Sequence, residues 1–253
     1  MAGSEPEIEG ATGNRAGDET SLSQRIRVAV IECLDAVGYA GTSLHRIQER
    51  AGVSRGALTY HFASKEDLLV TLAARNCLAR RELFERAALW PGPSRERMLA
   101  IGIADTFLLA EQPELFRLSQ YTLTAVVWGA ASAERRAQSL DASEPLGGLV
   151  MGIIRDAVDS GELPNAHGLN ETELCLGPWT ICLGMHTLVH AEGVLRDRVP
   201  APYRLMFLHL QMLLNGYGWQ PLFDPAHEDL DALVARLARA IFDRDPPPLA
   251  LPR

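Results

Sequence analysis

Cysteine is scarce: Cys33, Cys77, Cys175 and Cys182 are the four in 253 residues, and no two of them form a C-x-x-C pair. Each sits in an apolar helical pattern, so reduced thiols acting as small hydrophobes are expected rather than a disulfide framework. Long apolar runs are missing as well. No stretch of about 18 uninterrupted apolar residues is available to span a bilayer, and the first residues lack the charged-then-apolar signature of a signal peptide. The expectation is a soluble, cytoplasmic protein. Period-two alternation is absent, which excludes a sheet and leaves an all-α fold class. There is no internal repeat. No G-x-S-x-G elbow, P-loop, H-E-x-x-H or glycine-rich nucleotide loop occurs, so no catalytic residue is assigned, and neither an enzyme nor a cofactor is expected. An excess of basic charge is also lacking: the net charge is −8, which taken alone argues against a nucleic-acid partner.

Distribution matters more than the total. Residues 1–20 carry a net −4 and residues 69–253 a net −5, whereas residues 21–68 carry +1. The one non-acidic segment is therefore an N-terminal head. Residues 1–20, glycine-rich and acidic with almost no large apolar group, are expected to be a disordered tail. From Ser21 the pattern turns helical. Ile26, Val30, Cys33 and Val37 share a face, Ser21 and Gln24 can form a capping box, and Gly38 supplies a stop. Further amphipathic helices are expected at about Lys65–Leu89, Ser94–Ala110, Glu114–Ala131, Glu144–Ser160, Asn170–Glu192, Tyr203–Tyr217 and Glu228–Phe242, separated by proline- and glycine-rich breaks. Residues 69–245 would then form a helical body, and residues 246–253, with their Pro246-Pro247-Pro248 run, a frayed tail. No flexible linker separates residues 62 and 70, so the helix from Lys65 should join head and body rigidly.

The head contains TSLHRIQERAGVSRGALTYHFASKEDL at residues 42–68. Ser43 can cap a short helix with an inward face of Leu44, Ile47 and Ala51. Gly52 ends it in a left-handed conformation, and Val53 plugs the corner. Ser54 is expected to cap a second helix whose Leu58 and Phe62 face the core, while Gly56 and Ala57 keep its start slim enough to approach base edges in a major groove. Arg55, Thr59 and Tyr60 then point outward, with His61 partly on the core side. Ser64 and Asp67 cap the following helix, so that Lys65 stands beside an N-terminus that attracts phosphate.

Within this stretch, AGVSRGALTYHFASKEDLL resembles the helix-turn-helix signature of TetR/AcrR-type transcriptional regulators, and the resemblance extends over residues 22–69. Tyr60, His61, Phe62, Ser64, Lys65 and Leu68 fall on signature positions, while Thr59 stands where many members carry tyrosine. The resemblance implies an N-terminal three-helix DNA-binding head joined to a larger helical ligand-binding and dimerisation domain. It further implies an Ω-shaped homodimer whose two recognition helices enter successive major grooves of a pseudo-palindromic operator of double-stranded DNA. By position, Thr42, Ser43, Arg55, Thr59, Tyr60, His61 and Lys65 are the expected DNA contacts.

Beyond residue 70 the resemblance thins. Phe107, Phe116, Tyr121, Trp128, Met151 and Trp179 are candidates to line a cavity for a small organic effector between helices, or simply to fill the core. Cys175, Trp179, Cys182, His186 and His190 form a stripe along one helix face, which adds Cys182 and His186 to the pocket candidates. At 1.5 Å per residue that stripe runs about 22 Å, so only neighbours such as Cys182 and His186 can share an ion. A metal- or haem-responsive regulator using Cys182, His186 and His190 is thus an alternative, and no metal site is assigned. Tyr203, Phe207, Leu210, Leu213 and Leu214 on one late helix, and Leu230, Leu233, Leu237 and Ile241 on the last, compete as dimer faces. The function expected is a ligand-released repressor; a helical interaction module that does not bind an operator is the remaining alternative.

Overall fold

The computed structural model describes residues 12–250 apart from 165–166, 192–193 and 196–197; the side chains of residues 12–21, Arg55, Ala57 and Leu115 also lie outside the described residues. Among the described residues all regular structure is helical. The order is α1 (Thr12–Gly41), α2 (Leu44–Ala51), α3 (Arg55–Thr59), α4 (Lys65–Ala88), α5 (Ser94–Glu111), α6 (Pro113–Thr122), α7 (Ala125–Ala130), α8 (Ala133–Asp159), α9 (Glu171–His190), α10 (Pro202–Gly216) and α11 (Leu230–Phe242).

Several boundaries differ from those expected. α1 starts at Thr12, inside the stretch assigned to a tail, and residues 1–11 lie outside the described residues. Ser21 is therefore internal to α1 and opens nothing, while Gln24 Oε1 accepts from Arg27 Nη2 at 2.6 Å. Helix propagation adds one hydrogen bond per residue, so a helix once nucleated continues through a stretch whose composition would not start one. Gly38 does break the helix, at φ 68° and ψ 176°. The segment expected as Glu114–Ala131 is two helices. Thr124 caps α7 by accepting from Val127 N at 3.3 Å and also donates to Tyr121 O at 2.7 Å, a side-chain competition that interrupts the ladder. α8 starts at Ala133, capped by Ser132, and carries Pro145 inside it. The C-terminal stretch is not frayed as far as it is described: Pro247 is buried, Leu249 packs on the main core, and its carbonyl accepts from Tyr203 N at 3.2 Å.

Two cores result. The larger one gathers α4, α5, α8, α10 and α11 around Leu99, Ile103, Ile154, Phe207, Leu210, Trp219 and Leu237. Buried Arg95 ties it together. Its Nε donates to Gln211 Oε1 at 2.7 Å, Nη1 to Trp219 O at 2.6 Å and Nη2 to Gln211 O at 2.8 Å. Burial pulls this guanidinium down to about 10. The smaller core belongs to the head: Val30, Leu34, Ile47, Leu58, Leu68 and Leu69 close against Leu118, Val127 and Ala131, with Tyr121 and Trp128 at its edge. Part of the head's hydrophobic core is thus supplied by α6 and α7, well beyond residue 68.

Candidate nucleic-acid interface

α2 is held at both ends. Ser43 Oγ accepts from Arg46 N at 3.3 Å, and Gly52, at φ 61° and ψ 37°, closes the C-terminus in the left-handed region that only glycine enters cheaply. Arg25 locks the turn from α1, donating to Ala51 O at 2.8 and 3.1 Å and to Gly52 O at 2.7 Å. A cation is well placed on the orphaned carbonyls of a helix end. Val53 packs on the head core as expected, and α3 follows with Leu58 fully buried. Ser54 has an extended backbone, but its side chain makes no cap bond; because α3 is a five-residue turn, it is anchored by Leu58 instead.

The expected contact residues divide. Ser43, Thr59, Tyr60 and His61 are exposed, and Tyr60 retains 86% of its surface. His61 is further out than its position implied; its ring meets Tyr60 edge-on at 5.1 Å. The Arg55 side chain lies outside the described residues. Thr42 and Lys65 turn inward. Thr42 is buried and donates from Oγ1 to Gly38 O at 2.8 Å. Lys65 Nζ donates to Tyr39 O at 2.7 Å and Thr42 O at 2.9 Å, and lies 4.0 Å from the centre of the Tyr39 ring. The carbonyls left over where α1 breaks at Gly38 need a donor, and this ammonium supplies it. The Tyr39 hydroxyl donates to Glu66 Oε1 at 2.5 Å, and burial followed by that carboxylate pushes the phenol up to about 12. Ser64 caps α4 as expected, accepting from Asp67 N at 3.0 Å.

The joints between head and body were not legible in the sequence. Asp67 does not return a bond to Ser64; its carboxylate accepts from Ser132 N at 2.7 Å, at the start of α8. Arg135 on α8 donates to His61 O at 2.8 Å and stacks over the Phe62 ring at 5.3 Å. Tyr39 and Tyr121 stack at 6.0 Å.

The pocket candidates also scatter. Phe107 is in the main core, edge-on to Phe242 at 5.7 Å. Tyr121 and Trp128 border the head core, Met151 is half-buried, and Trp179 is 52% exposed. Phe116, Cys182 and His186 do lie near one another, around a charged pair that sequence reasoning missed: Arg80 Nε to Asp105 Oδ1 at 2.6 Å. Burial works to raise the Asp105 carboxyl, but Arg80 and His186 outweigh it and hold the group below the usual carboxylate range. Burial pushes the Cys182 thiol up to about 12. Among the described residues no three cysteine, histidine or acidic side chains come together as a metal site.

This geometry, a capped helix, a glycine corner and a short helix carrying exposed polar groups, defines a helix-turn-helix head on an all-helical body. Residues 26–72 match the family of bacterial regulatory proteins of the tetR type. A stretch of 75 residues is 35% identical to the HTH-type transcriptional repressor AcnR of Corynebacterium glutamicum, covering 29% of this chain and 40% of that protein. Between 37% and 55% of the curated relatives' length is spanned. The fold continues further than the sequence likeness. A bacterial regulatory protein of the tetR family from Rhodococcus RHA1 superposes with a TM-score of 0.59 at 21% identity, covering 76% of this chain and 96% of that one. The regulator FadR from Bacillus subtilis, in complex with stearoyl-CoA, does so with a TM-score of 0.56 at 21% identity, covering 76% and 98%. Residues 26–72 are thus similar to the tetR-type head, and the helical body shares its fold with solved structures of that family.

Proposed function

We propose that the protein is a homodimeric, sequence-specific DNA-binding transcriptional regulator, a repressor released from a pseudo-palindromic operator by a small organic ligand. The observation that carries this reading is the head itself: α2, the Gly52 corner and α3 present Tyr60, Thr59 and His61 outward while Leu58 and Ile47 lock the motif from behind. Base edges are read by Thr59, Tyr60 and Arg55, with Ser43 and His61 on the phosphates. Lys65 acts by holding the α1–α4 joint in shape. The DNA-binding unit is residues 21–68 and the effector and dimer unit 69–245, with α6 and α7 bridging them.

For the dimer, the late faces sort themselves by burial. The apolar sides of α10 and α11 are spent inside the subunit. On α9 only Leu174, Pro178 and His186 are buried, while Leu176, Trp179 and Leu188 are exposed, and Leu176, Trp179 and Leu183 fall on one helical face. A second copy is the partner that fits a symmetric reader of a palindrome. That FadR of the same fold is captured with an acyl-CoA supports a small-molecule effector.

The test is fluorescence anisotropy of the full chain on its own upstream intergenic DNA, at several salt concentrations and against scrambled competitor. Competitor-resistant binding with two protomers per site is expected; binding matched by scrambled DNA at every salt would overturn specific recognition.

A further inference from the structure

The stretch that carries the exposed Tyr60 and His61 has little regular structure of its own. α3 stops at Thr59, and α4 does not begin until Lys65. Between them His61 N and Phe62 N both donate to Leu58 O, at 3.0 and 2.8 Å. The outer side of this turn is met by α8. Arg135 Nη2 donates to His61 O at 2.8 Å, and the guanidinium carbon lies 5.3 Å from the centre of the half-buried Phe62 ring. Nη1 of the same group donates to Gln138 Oε1 at 2.8 Å, and Gln138 Nε2 donates in turn to Glu134 Oε1 at 3.1 Å. A planar fork bonded on two sides and stacked on a ring is held in one orientation.

Arg135 does not serve its own helix. Ser132 caps α8, its Oγ accepting from Arg135 N at 3.3 Å, which makes Arg135 the third helical residue. A carboxylate suits that position, because it faces the positive end of the helix dipole and can complete a capping box; a guanidinium has the wrong sign. The contact across to the turn offsets this. The start of α8 is itself fixed on the head: Ser132 N donates to the Asp67 carboxylate at 2.7 Å, and Val127 and Ala131 just before it are buried in the head core. The far end of α8 enters the core of the body through Ile153, Ile154 and Ala157. One helix thus touches the Tyr60–His61 turn at one end and the body at the other.

We propose that Arg135 is a specificity-determining positioning residue: without touching DNA it fixes the Tyr60–His61 turn in the orientation that reads base edges, and α8 is the arm through which the body sets that orientation. This rests on reading the head as a sequence-specific DNA binder. Non-specific DNA is gripped through phosphates and tolerates a loose turn, whereas hydrogen bonds to base edges demand direction as well as distance. Releasing the turn therefore removes discrimination and leaves the sequence-independent part of binding in place.

The experiment compares the full chain with Arg135→Met and Arg135→Lys, each checked for helicity and cooperative melting. Anisotropy is read on the upstream intergenic DNA and on its scrambled counterpart at several salt concentrations, and amide hydrogen exchange is read on the free protein. In Arg135→Met, affinity for the upstream DNA should fall about tenfold or more, while binding to scrambled DNA stays within about twofold and keeps its salt slope. Exchange at His61 and Phe62 should quicken, with α2 and α4 unchanged. Arg135→Lys can still donate to His61 O but lacks the planar fork, so it should fall between; it carries the comparison if the methionine variant does not melt cooperatively. Equal weakening on both DNAs with a shallower salt slope would make Arg135 a phosphate contact and overturn the positioning role. An unchanged ratio of upstream to scrambled affinity would overturn it too, whatever the melting temperature. Should the unaltered chain fail to discriminate the two DNAs, the regulator reading falls and exchange decides the joint: quickened exchange at His61 and Phe62 upholds it, and unaltered exchange overturns it.

Discussion

Tyr60 and Lys65 stand five positions apart and have opposite tasks. Tyr60 packs on nothing but a neighbouring imidazole, so Tyr60→Ala should leave stability unchanged and weaken operator binding by about 1–3 kcal/mol, read by anisotropy. Lys65→Met removes two hydrogen bonds to carbonyls at the end of α1. It should lower unfolding stability by about 1–3 kcal/mol in urea titration, and DNA affinity should fall only as far as the head loosens. A purely phosphate-gripping Lys65 would give the reverse pattern, with full stability and a shallower salt dependence. Histidine adds a pH effect. Burial, then the neighbouring His186 and Arg117, pull His190 below its ordinary 6.5. The unfolded chain therefore binds the proton more readily, and stability present above pH 6.5 is lost as pH falls through that value toward the folded one. The melting temperature should drop between pH 7.5 and 5.5, by less in His190→Gln. An unaltered pH slope in that variant would assign the effect elsewhere.

Among the described side chains of α3, Leu58 is the one fully buried anchor, so the helix's angle to α2 depends on the corner at Gly52. A Cβ there would sit at positive φ and 3.4 Å from an Arg25 guanidinium nitrogen. Gly52→Ala should cost about 1–2 kcal/mol and reduce DNA affinity together with it. The helices read from their apolar spacing matched well where a proline or a glycine closed them, as at α4, α5, α9 and α10. They failed where a hydroxyl side chain decided the matter, as Thr124 does between α6 and α7, because local hydrogen bonds leave little trace in a hydrophobic pattern. The same limit hid the link from Asp67 to Ser132: a carboxylate at the start of a helix looks like part of its own cap. Asp67→Ala should therefore leave α4 helical yet loosen the N-terminus of α8, seen as faster amide exchange at Ser132 and its neighbours.

At the scale of the whole molecule, the proposed homodimer would set its second copy against α9, whose apolar face is exposed while those of α10 and α11 are buried. Replacing Trp179 and Leu183 by arginine should give a folded monomer in light scattering, with operator affinity reduced by about a hundredfold or more, since each half-site is then bound alone. A dimer surviving both changes would move the interface to another helix. What the sequence by itself determined was local: the helical class, the corner at Gly52, the cap at Ser64 and the order of polar and apolar groups through residues 42–68. These follow from spacing over a few residues, where backbone geometry and capping rules act. Tertiary structure decided which polar groups meet across distant segments. Lys65 was drawn inward by carbonyls freed at Gly38, Leu118 and Val127 completed a core begun by residues before 70, and Phe116, His186 and Asp105 met in one place. Desolvation and pairing act between groups brought together only by folding, so no spacing along the chain records them.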